Sequence, residues 1–455
     1  MRVILRLPAF RECFGGGAME TESDLKAPDV CQHANSAEQS KGARAFISNP
    51  IRSLLGFLAI AGPGVTVMLA DTDAGSVITA AQSGARWGYK LLLLQIILVP
   101  ILYIVQELTV RLGATTGKGH GELIRAHFGT GWAFVSVSTL FVAAVGALIT
   151  EFSGIAGAGL LFGVAPWKSV GLAVAFLLVV IFTGSYRRVE LAAIAVGLFE
   201  LAFIPAALLS RPDAGAIVQG LAGAQPLGDP DYLSLVAANV GAVIMPWMIF
   251  YQQAAVVEKG LRPEHLRMAR WDTLVGSVAT QIIMGAVLVT TAATIGKTEP
   301  GAPLHTVQEI ANALRPMTGE LGGKILFSVG VTGAALIAAI VVSLAAAWAF
   351  GELFGFPSSL NLTPRKAPLF YGVYTAGILG AAGLVLSGLP LVKLAISVEV
   401  MNALLLPLVL GFLIALAFRV LPEGYRLSRV EKVAVIVISG LVMLLGVAVT
   451  LQLLL

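Results

Sequence analysis

The chain has 455 residues, of which 57% are hydrophobic and 12% are charged. Soluble domains usually carry about 25% charged residues, so this composition predicts a multi-pass membrane protein and leaves no length for a soluble second domain. The net charge of +4 lies in short loops between apolar segments and does not indicate binding to nucleic acid. Both cysteines, Cys13 and Cys31, precede the apolar segments, which excludes a disulfide framework or a cysteine metal cage there.

The first 48 residues are polar and contain no apolar stretch long enough to span a bilayer. We expect a disordered cytosolic N-terminal tail at 1–48, followed by a transmembrane domain at 49–455. The opening apolar residues are too few for the core of a signal peptide. Met19 is an alternative start of translation, and this choice has little effect on the fold.

Apolar runs of about 20 residues predict membrane-spanning helices. Eleven such segments occur, near 53–84, 88–112, 132–162, 168–184, 190–210, 234–257, 271–296, 324–352, 368–388, 391–418 and 430–454. The first is too long for one straight span, as expected of a broken helix and its continuation. Lys and Arg are more frequent in alternate loops, which predicts a cytosolic N-terminus and an external C-terminus, with a bacterial inner membrane as the expected location.

The first apolar segment contains Gly62-Pro63-Gly64 and two carboxylates, Asp71 and Asp73. A charged side chain at the bilayer centre costs at least ~2.5–3.5 kcal/mol, so it is rare without a function. Helix-breaking residues beside it suggest an unwound helix that exposes backbone groups to a substrate. We expect Asp73 to be a cation ligand. On a continuous helix Asp71 lies about 200° away. It is therefore either a further ligand, if the backbone is extended there, or a carboxylate that lines a cavity or supports the site.

The sixth segment is interrupted in the same way, at Gly241-Ala242-Val243-Ile244-Met245-Pro246. Breaks in spans one and six are what a five-plus-five inverted repeat predicts, with repeats at about 53–210 and 234–418 and an extra helix at 430–454. A simple packing kink is the alternative. Met245 offers a soft thioether or fills the core, and Ala242 offers a carbonyl that Pro246 leaves without its helical donor.

Three more carboxylates lie within apolar segments: Glu399, Glu151 and Glu200. Each is either functional or a neutral, hydrogen-bonded carboxyl group. Glu107 and Arg111 are four residues apart, which predicts an ion pair at a helix end. No histidine falls within a predicted span, and no catalytic constellation is present, so we expect a protein that is not an enzyme and has no histidine proton relay in the membrane.

From about residue 53 onward the chain resembles the Nramp family of divalent-metal transporters. The match rests on several motifs taken together: Gly62-Pro63-Gly64, Asp73-Ala74-Gly75-Ser76, Gly84-Ala85-Arg86-Trp87-Gly88-Tyr89, Gln106-Glu107-Leu108-Thr109-Val110-Arg111-Leu112-Gly113, Glu151-Phe152-Ser153-Gly154 and Gly241-Ala242-Val243-Ile244-Met245-Pro246. The resemblance implies an all-α, leucine-transporter-like fold with broken helices 1 and 6. It also implies metal ligation between those helices by Asp73, Ser76, Ala242 and Met245.

Several positions depart from the family pattern. Ser76 replaces an asparagine, Trp247 and Gln252 replace two histidines, and Leu148 replaces an aspartate. Glu399 stands where many members have a glutamine that completes the coordination. The resemblance therefore implies a divergent member with one more carboxylate at its site.

The resulting hypothesis is a secondary transporter that moves Mn2+ or Fe2+ into the cytosol by alternating access, with proton coupling in doubt. Asp71, Glu151, Trp247 and Glu200 are candidates for a supporting role around the metal or for a proton path. A Mg2+ transporter related to Nramp is the first alternative, and a sodium-coupled symporter for organic solutes is the alternative from another class. The expected partners are the metal, as substrate rather than cofactor, and the lipid bilayer; no oligomeric state is predicted.

Overall fold

The computed structural model describes residues 62–454 apart from 302–303, 305–306, 313–314 and 388–390. The predicted tail at 1–48, the alternative start at Met19 and the beginning of the first apolar segment lie outside the described residues. The boundaries of the two repeats stay a prediction.

Within the described residues the secondary structure is helical, and no strand occurs. The helices are α1 (Pro63–Asp71), α2 (Ala74–Trp87), α3 (Leu92–Thr116), α4 (His120–Phe128), α5 (Thr130–Leu160), α6 (Pro166–Ile181), α7 (Tyr186–Gly197), α8 (Phe203–Leu209), α9 (Ala214–Ala222), α10 (Pro230–Val243), α11 (Pro246–Glu258), α12 (Leu266–Ala293), α13 (Ile295–Thr298), α14 (Val307–Asn312), α15 (Arg315–Phe354), α16 (Pro368–Val385), α17 (Leu391–Val420) and α18 (Arg429–Leu454). Short 3-10 turns lie at Leu198–Ala202, Pro263–His265 and Glu423–Tyr425.

Eight helical segments in the described part of the chain are long and apolar enough to cross a membrane. They are Leu92–Thr116, Thr130–Leu160, Tyr186–Leu209, Pro230–Glu258, Pro263–Thr298, Leu321–Phe354, Pro368–Val385 and Lys393–Val420. The other three predicted spans correspond to the interrupted pair α1 and α2, the 16-residue apolar helix α6 and the C-terminal helix α18. The protein is therefore an integral membrane protein.

The Gly62-Pro63-Gly64 triplet lies at the start of helix α1. Gly62 is the N-cap of α1 with a φ of 151°, and Pro63 occupies the first helical position, where its missing N–H costs nothing. An interruption lies at Thr72 and Asp73, where α1 ends and α2 begins. The predicted break in this segment is therefore present at Thr72 and Asp73, and whether the triplet also interrupts a longer helix stays a prediction, because residues 51–61 lie outside the described ranges.

The second interruption lies at Ile244 and Met245, as predicted. Ile244 has φ −126° and ψ 88°, and Met245 has φ −100° and ψ 145°, so neither is helical. Pro246 then starts α11 at its first position. A proline is favoured there because it lacks only an N–H that the helix would leave unused.

Helices from distant parts of the sequence surround these interruptions. Helix α12 packs against α1, α2 and α3, α15 packs along α5, and α10 packs along α17. The last contact is close, because a Cβ on Gly241 would collide with the backbone of Glu399 and Ala403. Helix α17 therefore lies directly against the second broken helix.

Candidate metal site

Asp73 lies at the first interruption and caps α2. Its Oδ1 accepts a hydrogen bond of 2.7 Å from the backbone N–H of Ser76. A carboxylate at an N-cap satisfies one of the unpaired N–H groups of the first turn. Asp73 Oδ2 has no hydrogen-bond partner among the described residues, and the side chain is only 1% exposed. One carboxylate oxygen is thus fixed by the helix, and the other is available to a ligand.

Ser76 joins the two interruptions. Its Oγ donates a hydrogen bond of 3.1 Å to the carbonyl oxygen of Ala242. That carbonyl is available because Pro246, four residues later, has no N–H to donate. The two residues that the family resemblance implies as oxygen ligands from different broken helices are therefore in contact.

Met245 is the N-cap residue of α11 and is fully buried. It is three residues beyond Ala242, within the same interruption of the helix. Its thioether is the one soft donor of the predicted ligand set, since the others are oxygens.

Glu399 comes to the first interruption from α17. Its carboxylate occupies the space that a side chain on Gly75 would fill, while its backbone lies against Gly241. Asn402, one turn later, donates a hydrogen bond of 3.0 Å to Glu399 Oε2. Glu399 is therefore in contact with both broken helices and is only 1% exposed.

Glu151 contacts the same interruption from α5. Its Oε2 accepts a hydrogen bond of 3.1 Å from the backbone N–H of Ala74, directly after Asp73. Its Oε1 has no hydrogen-bond partner among the described residues, and the side chain is fully buried. Glu151 therefore supports the start of α2 with one oxygen and leaves the other available beside Asp73.

Two further predicted residues lie at the end of α1. Asp71 is its last residue, and Glu200 lies in the 3-10 turn between α7 and α8. Thr72 connects this pair to the interruption, because its hydroxyl is hydrogen-bonded to Glu200 Oε2. The structure thus places Asp71 and Glu200 beside the site, and no interaction links either to Ser76 or Ala242.

The three residues that replace polar groups of the family pattern are all buried. Trp247 lies directly after the second interruption, and its indole N–H has no partner within the described residues. Gln252 donates to Thr273 Oγ1 at 3.5 Å, at the long limit for a hydrogen bond. Leu148 is packed in the hydrophobic core. No titratable side chain replaces the missing groups at these positions.

The arrangement offers one soft and several hard donors. No group of three or more His, Cys, Asp or Glu converges as a metal cage in the described ranges. The candidate site instead combines carboxylates with a hydroxyl, a carbonyl and a thioether. All five candidate ligands are at most 1% exposed, so the site is closed to solvent.

Sequence reasoning missed the contacts that hold the far end of α1. Asp272 on α12 accepts hydrogen bonds from the backbone N–H groups of Gly62 at 3.1 Å, Gly64 at 2.7 Å and Val65 at 3.3 Å. Beside them, Lys259 pairs with Glu190 at 2.9 Å. Asp272 is a single carboxylate at the border of an apolar segment, so its position in the sequence gave no signal.

The predicted ion pair between Glu107 and Arg111 at the end of α3 is present, and it includes a third residue. Arg111 Nε lies 2.9 Å from Glu107, and Arg111 also pairs with Glu431 of α18 at 2.7 Å. His120 lies outside the long apolar spans, as predicted, but it is the first residue of helix α4 rather than a loop residue, and it is buried against Phe250. Burial lowers the pKa of His120 to about 4, so its ring is neutral at cellular pH.

The fold and the two interrupted helices define a membrane transporter of the leucine-transporter-like class. A manganese transporter from Eremococcus coleocola superposes with a TM-score of 0.70 over 87% of both chains, at 20% identity. The nucleobase-cation-symport-1 family transporter Mhp1 superposes with a TM-score of 0.53 over 86% of this chain and 91% of its own, at 14% identity. At these identities the likeness establishes the fold alone.

The sequence profile described as "Natural resistance-associated macrophage protein-like" matches residues 64–452. The chain therefore belongs to the Nramp family, which confirms the resemblance. Curated relatives include the divalent metal cation transporters MntH of Brucella suis and Yersinia pestis. The Brucella suis protein is 25% identical over 63% of this chain and 65% of its own length. The Yersinia pestis protein is 28% identical over 65% of this chain and 73% of its own length. The alignment thus spans slightly less than two thirds of the Brucella relative.

Proposed function

We propose that this protein is a secondary transporter that carries divalent metal cations across the membrane by alternating access. Asp73, Ser76, Ala242, Met245 and Glu399 are the proposed ligands. The relatives named as divalent metal cation transporters and the fold shared with a manganese transporter support this assignment.

The observation that carries the proposal is the contact between the two interruptions. Ser76 Oγ and the Ala242 carbonyl lie 3.1 Å apart, although the residues are 166 positions apart in sequence. The two broken helices thus bring a hydroxyl and a carbonyl oxygen into contact, and Asp73 Oδ2 has no hydrogen-bond partner among the described residues. A cation bound there would be coordinated by the Asp73 carboxylate and by the neutral oxygens of Ser76 and Ala242, and no further helix would have to unwind.

The donor set favours Mn2+ or Fe2+ as the cargo. Met245 contributes a polarisable sulfur, which transition metals accept and Mg2+ does not. Mg2+ is the second candidate, because Glu399 adds a carboxylate that hard cations prefer. A structure with a bound ion would distinguish them. Direct contact between the ion and the Met245 sulfur would support Mn2+ or Fe2+, whereas water molecules retained around the ion would support Mg2+.

Metal uptake into proteoliposomes tests the proposal. Asp73→Ala removes the one ligand that is both charged and directly in the break, so we expect uptake of Mn2+ to fall by at least tenfold. Asp213→Ala is the matched control, because Asp213 is exposed and caps the peripheral helix α9; it should transport like the wild type. Equal uptake by Asp73→Ala and wild type would refute the assignment of the site.

A sodium-coupled symporter for an organic solute is the alternative that the fold permits. Its amino-acid substrates carry a carboxylate, which such sites meet with a helix N-terminus. Here Asp73, Glu151 and Glu399 bring three acidic side chains to the start of α2, which disfavours an anionic group. Titration of the purified protein with Mn2+, Mg2+ and amino acids separates the two hypotheses, and binding of an amino acid without any metal would favour the symporter.

A further inference from the structure

Helix α17 carries two polar side chains where it meets the candidate metal site. In the sequence from Leu394 to Phe418, the charged and amide side chains are Glu399 and Asn402. The two residues are three positions apart, so both lie on the same face of the helix. Both are at most 1% exposed. A buried amide is costly unless its polar atoms are hydrogen-bonded, so Asn402 requires an explanation.

The two carboxylate oxygens of Glu399 have different surroundings. Oε2 accepts a hydrogen bond of 3.0 Å from Asn402 Nδ2, which is the one hydrogen bond to this carboxylate in the described part of the chain. Oε1 occupies the space that a Cβ on Gly75 would need, and Asp73 Oδ1 lies 3.3 Å from the same position. The oxygen that Asn402 leaves free therefore faces the first turn of α2, beside Asp73.

The backbone of this part of α17 is fixed by its neighbours. A Cβ on Gly241 of α10 would collide with the backbone carbonyl of Glu399 and would lie 2.9 Å from the backbone N of Ala403. The turn that carries Glu399 and Asn402 therefore packs directly against the second broken helix. The remaining freedom lies in the side chain of Glu399, which has several rotatable bonds.

Asn402 removes much of that freedom. Its amide N–H groups come from a helical turn whose backbone is already fixed, so the hydrogen bond to Oε2 also sets the direction of Oε1. Asn402 Oδ1 has no hydrogen-bond partner among the described residues, so the contact with Glu399 is the one hydrogen bond recorded there for this side chain. A ligand that is oriented before the ion arrives binds at a lower entropic cost.

We propose that Asn402 is a positioning residue that directs Oε1 of Glu399 towards Asp73 and thereby sets the preference of the site for hard cations. This inference rests on the proposed function, in which both carboxylates bind the transported ion. Carboxylate oxygens suit Mn2+ and Mg2+, whereas the thioether of Met245 favours a softer ion such as Cd2+. Asn402 acts through Glu399 and does not bind the ion itself.

Calorimetric titration of the purified full-length protein with Mn2+, and separately with Cd2+, tests this role. Asn402→Leu removes the N–H donor at similar volume. Mn2+ binding should weaken about tenfold, as expected for a lost hydrogen bond to a charged group, and Cd2+ binding by less than about threefold. Ser397→Ala is the matched control, because it removes a hydrogen bond on the exposed side of the same helix; it should leave both affinities unchanged.

A double-variant comparison separates positioning from a purely structural role. In a Glu399→Ala background, Asn402→Leu should weaken Mn2+ binding no further, because the group through which Asn402 acts is absent. A further loss of the same size in that background, or equal losses of Mn2+ and Cd2+ binding in Asn402→Leu alone, overturns the proposal. Asn402→Ala removes the same donor without adding an apolar group and must give the same selective loss, which covers a failure of Asn402→Leu to fold.

The same titrations distinguish this inference from the proposed function. If Asp73→Ala binds Mn2+ as tightly as the wild type, the proposed site fails and this inference fails with it. If Asp73→Ala loses Mn2+ binding but Asn402→Leu does not, the proposed site stands and this inference alone is overturned.

Discussion

At the scale of single residues, Asp73 and Glu151 each use one carboxylate oxygen for structure and leave the other available. Asp73 caps α2 with Oδ1, and Glu151 holds the next backbone N–H with Oε2. Their remaining oxygens have no partner within the described ranges. The helix ends therefore orient these carboxylates before any ion arrives, which lowers the entropic cost of binding.

Met245→Ala tests the contribution of the soft ligand. The variant loses the sulfur but keeps the oxygen ligands, so uptake of Mn2+ and Cd2+ should fall at least tenfold while uptake of Mg2+ is retained or increased. Transport assays with each ion in the same liposomes measure this selectivity. Met248→Ala, on the following helical turn, is the control for loss of buried volume. If Met245→Ala reduces uptake of all three ions equally, the argument from softness fails.

At the scale of helices, α1 is fixed at its two ends by different elements. Thr72 contacts Glu200 at one end, and Asp272 accepts hydrogen bonds from three backbone N–H groups at the other. Between these ends, Thr280 of α12 donates a hydrogen bond to the Met68 carbonyl. Helix α1 packs chiefly against α12, and α15, α7 and α11 also contact it.

Asp272→Ala should loosen the first turn of α1. The loss of a helix cap costs about 1–2 kcal/mol, which corresponds to roughly a 5- to 30-fold increase in local opening. Hydrogen–deuterium exchange should therefore accelerate at the amides of Gly64 and Val65 and remain unchanged in α2. Asp231→Ala breaks the exposed ion pair with Arg86 and serves as the control. Unchanged exchange at Gly64 and Val65 in Asp272→Ala would contradict this role.

At the scale of the whole molecule, the sequence predicted the class of fold and the two interruptions because their causes are local. Pro246 removes a donor from its own helix, and Asp73 caps the helix that follows it. The sequence itself marked Glu399 as a carboxylate within an apolar segment, and the resemblance implied its place at the site; it lies in contact with both broken helices. Asp272 could not be predicted in the same way, because it contacts Gly64 across 208 positions and nothing local marks that pairing.

Coupling to protons is a property of the whole transport cycle, and we expect it to be weak or absent. Trp247, Gln252 and Leu148 carry no titratable group where the family pattern has histidines and an aspartate. Liposomes loaded with a pH-sensitive dye should show metal uptake with little internal acidification. A well-coupled Nramp transporter in parallel liposomes provides the positive control, and acidification of similar size by this protein would contradict the expectation.

The orientation of the chain can be tested with its own cysteines. Cys13 and Cys31 are the two cysteines of the sequence, and both precede the first span. If the N-terminus is cytosolic, a membrane-impermeant maleimide should label them in lysed cells and leave them unlabelled in intact spheroplasts. A Cys13→Ser, Cys31→Ser double variant gives the background. Labelling in intact spheroplasts would show that the N-terminus is external and would contradict the expected orientation.

Only two residues, Thr72 and Asp73, separate α1 from α2, so a change in their backbone angles would rotate α1 relative to α2. Helix α1 has nine residues and is therefore about 13 Å long. The point of rotation lies at Thr72, next to Asp73, whereas the N-terminal end of α1 is hydrogen-bonded to Asp272. A rotation of ~20° about this point would move the N-terminal end of α1 by nearly 5 Å but shift the residues at the point of rotation very little. Asp73 and Ser76 lie on the α2 side of this point, so such a rotation of α1 would leave the positions of both residues nearly unchanged.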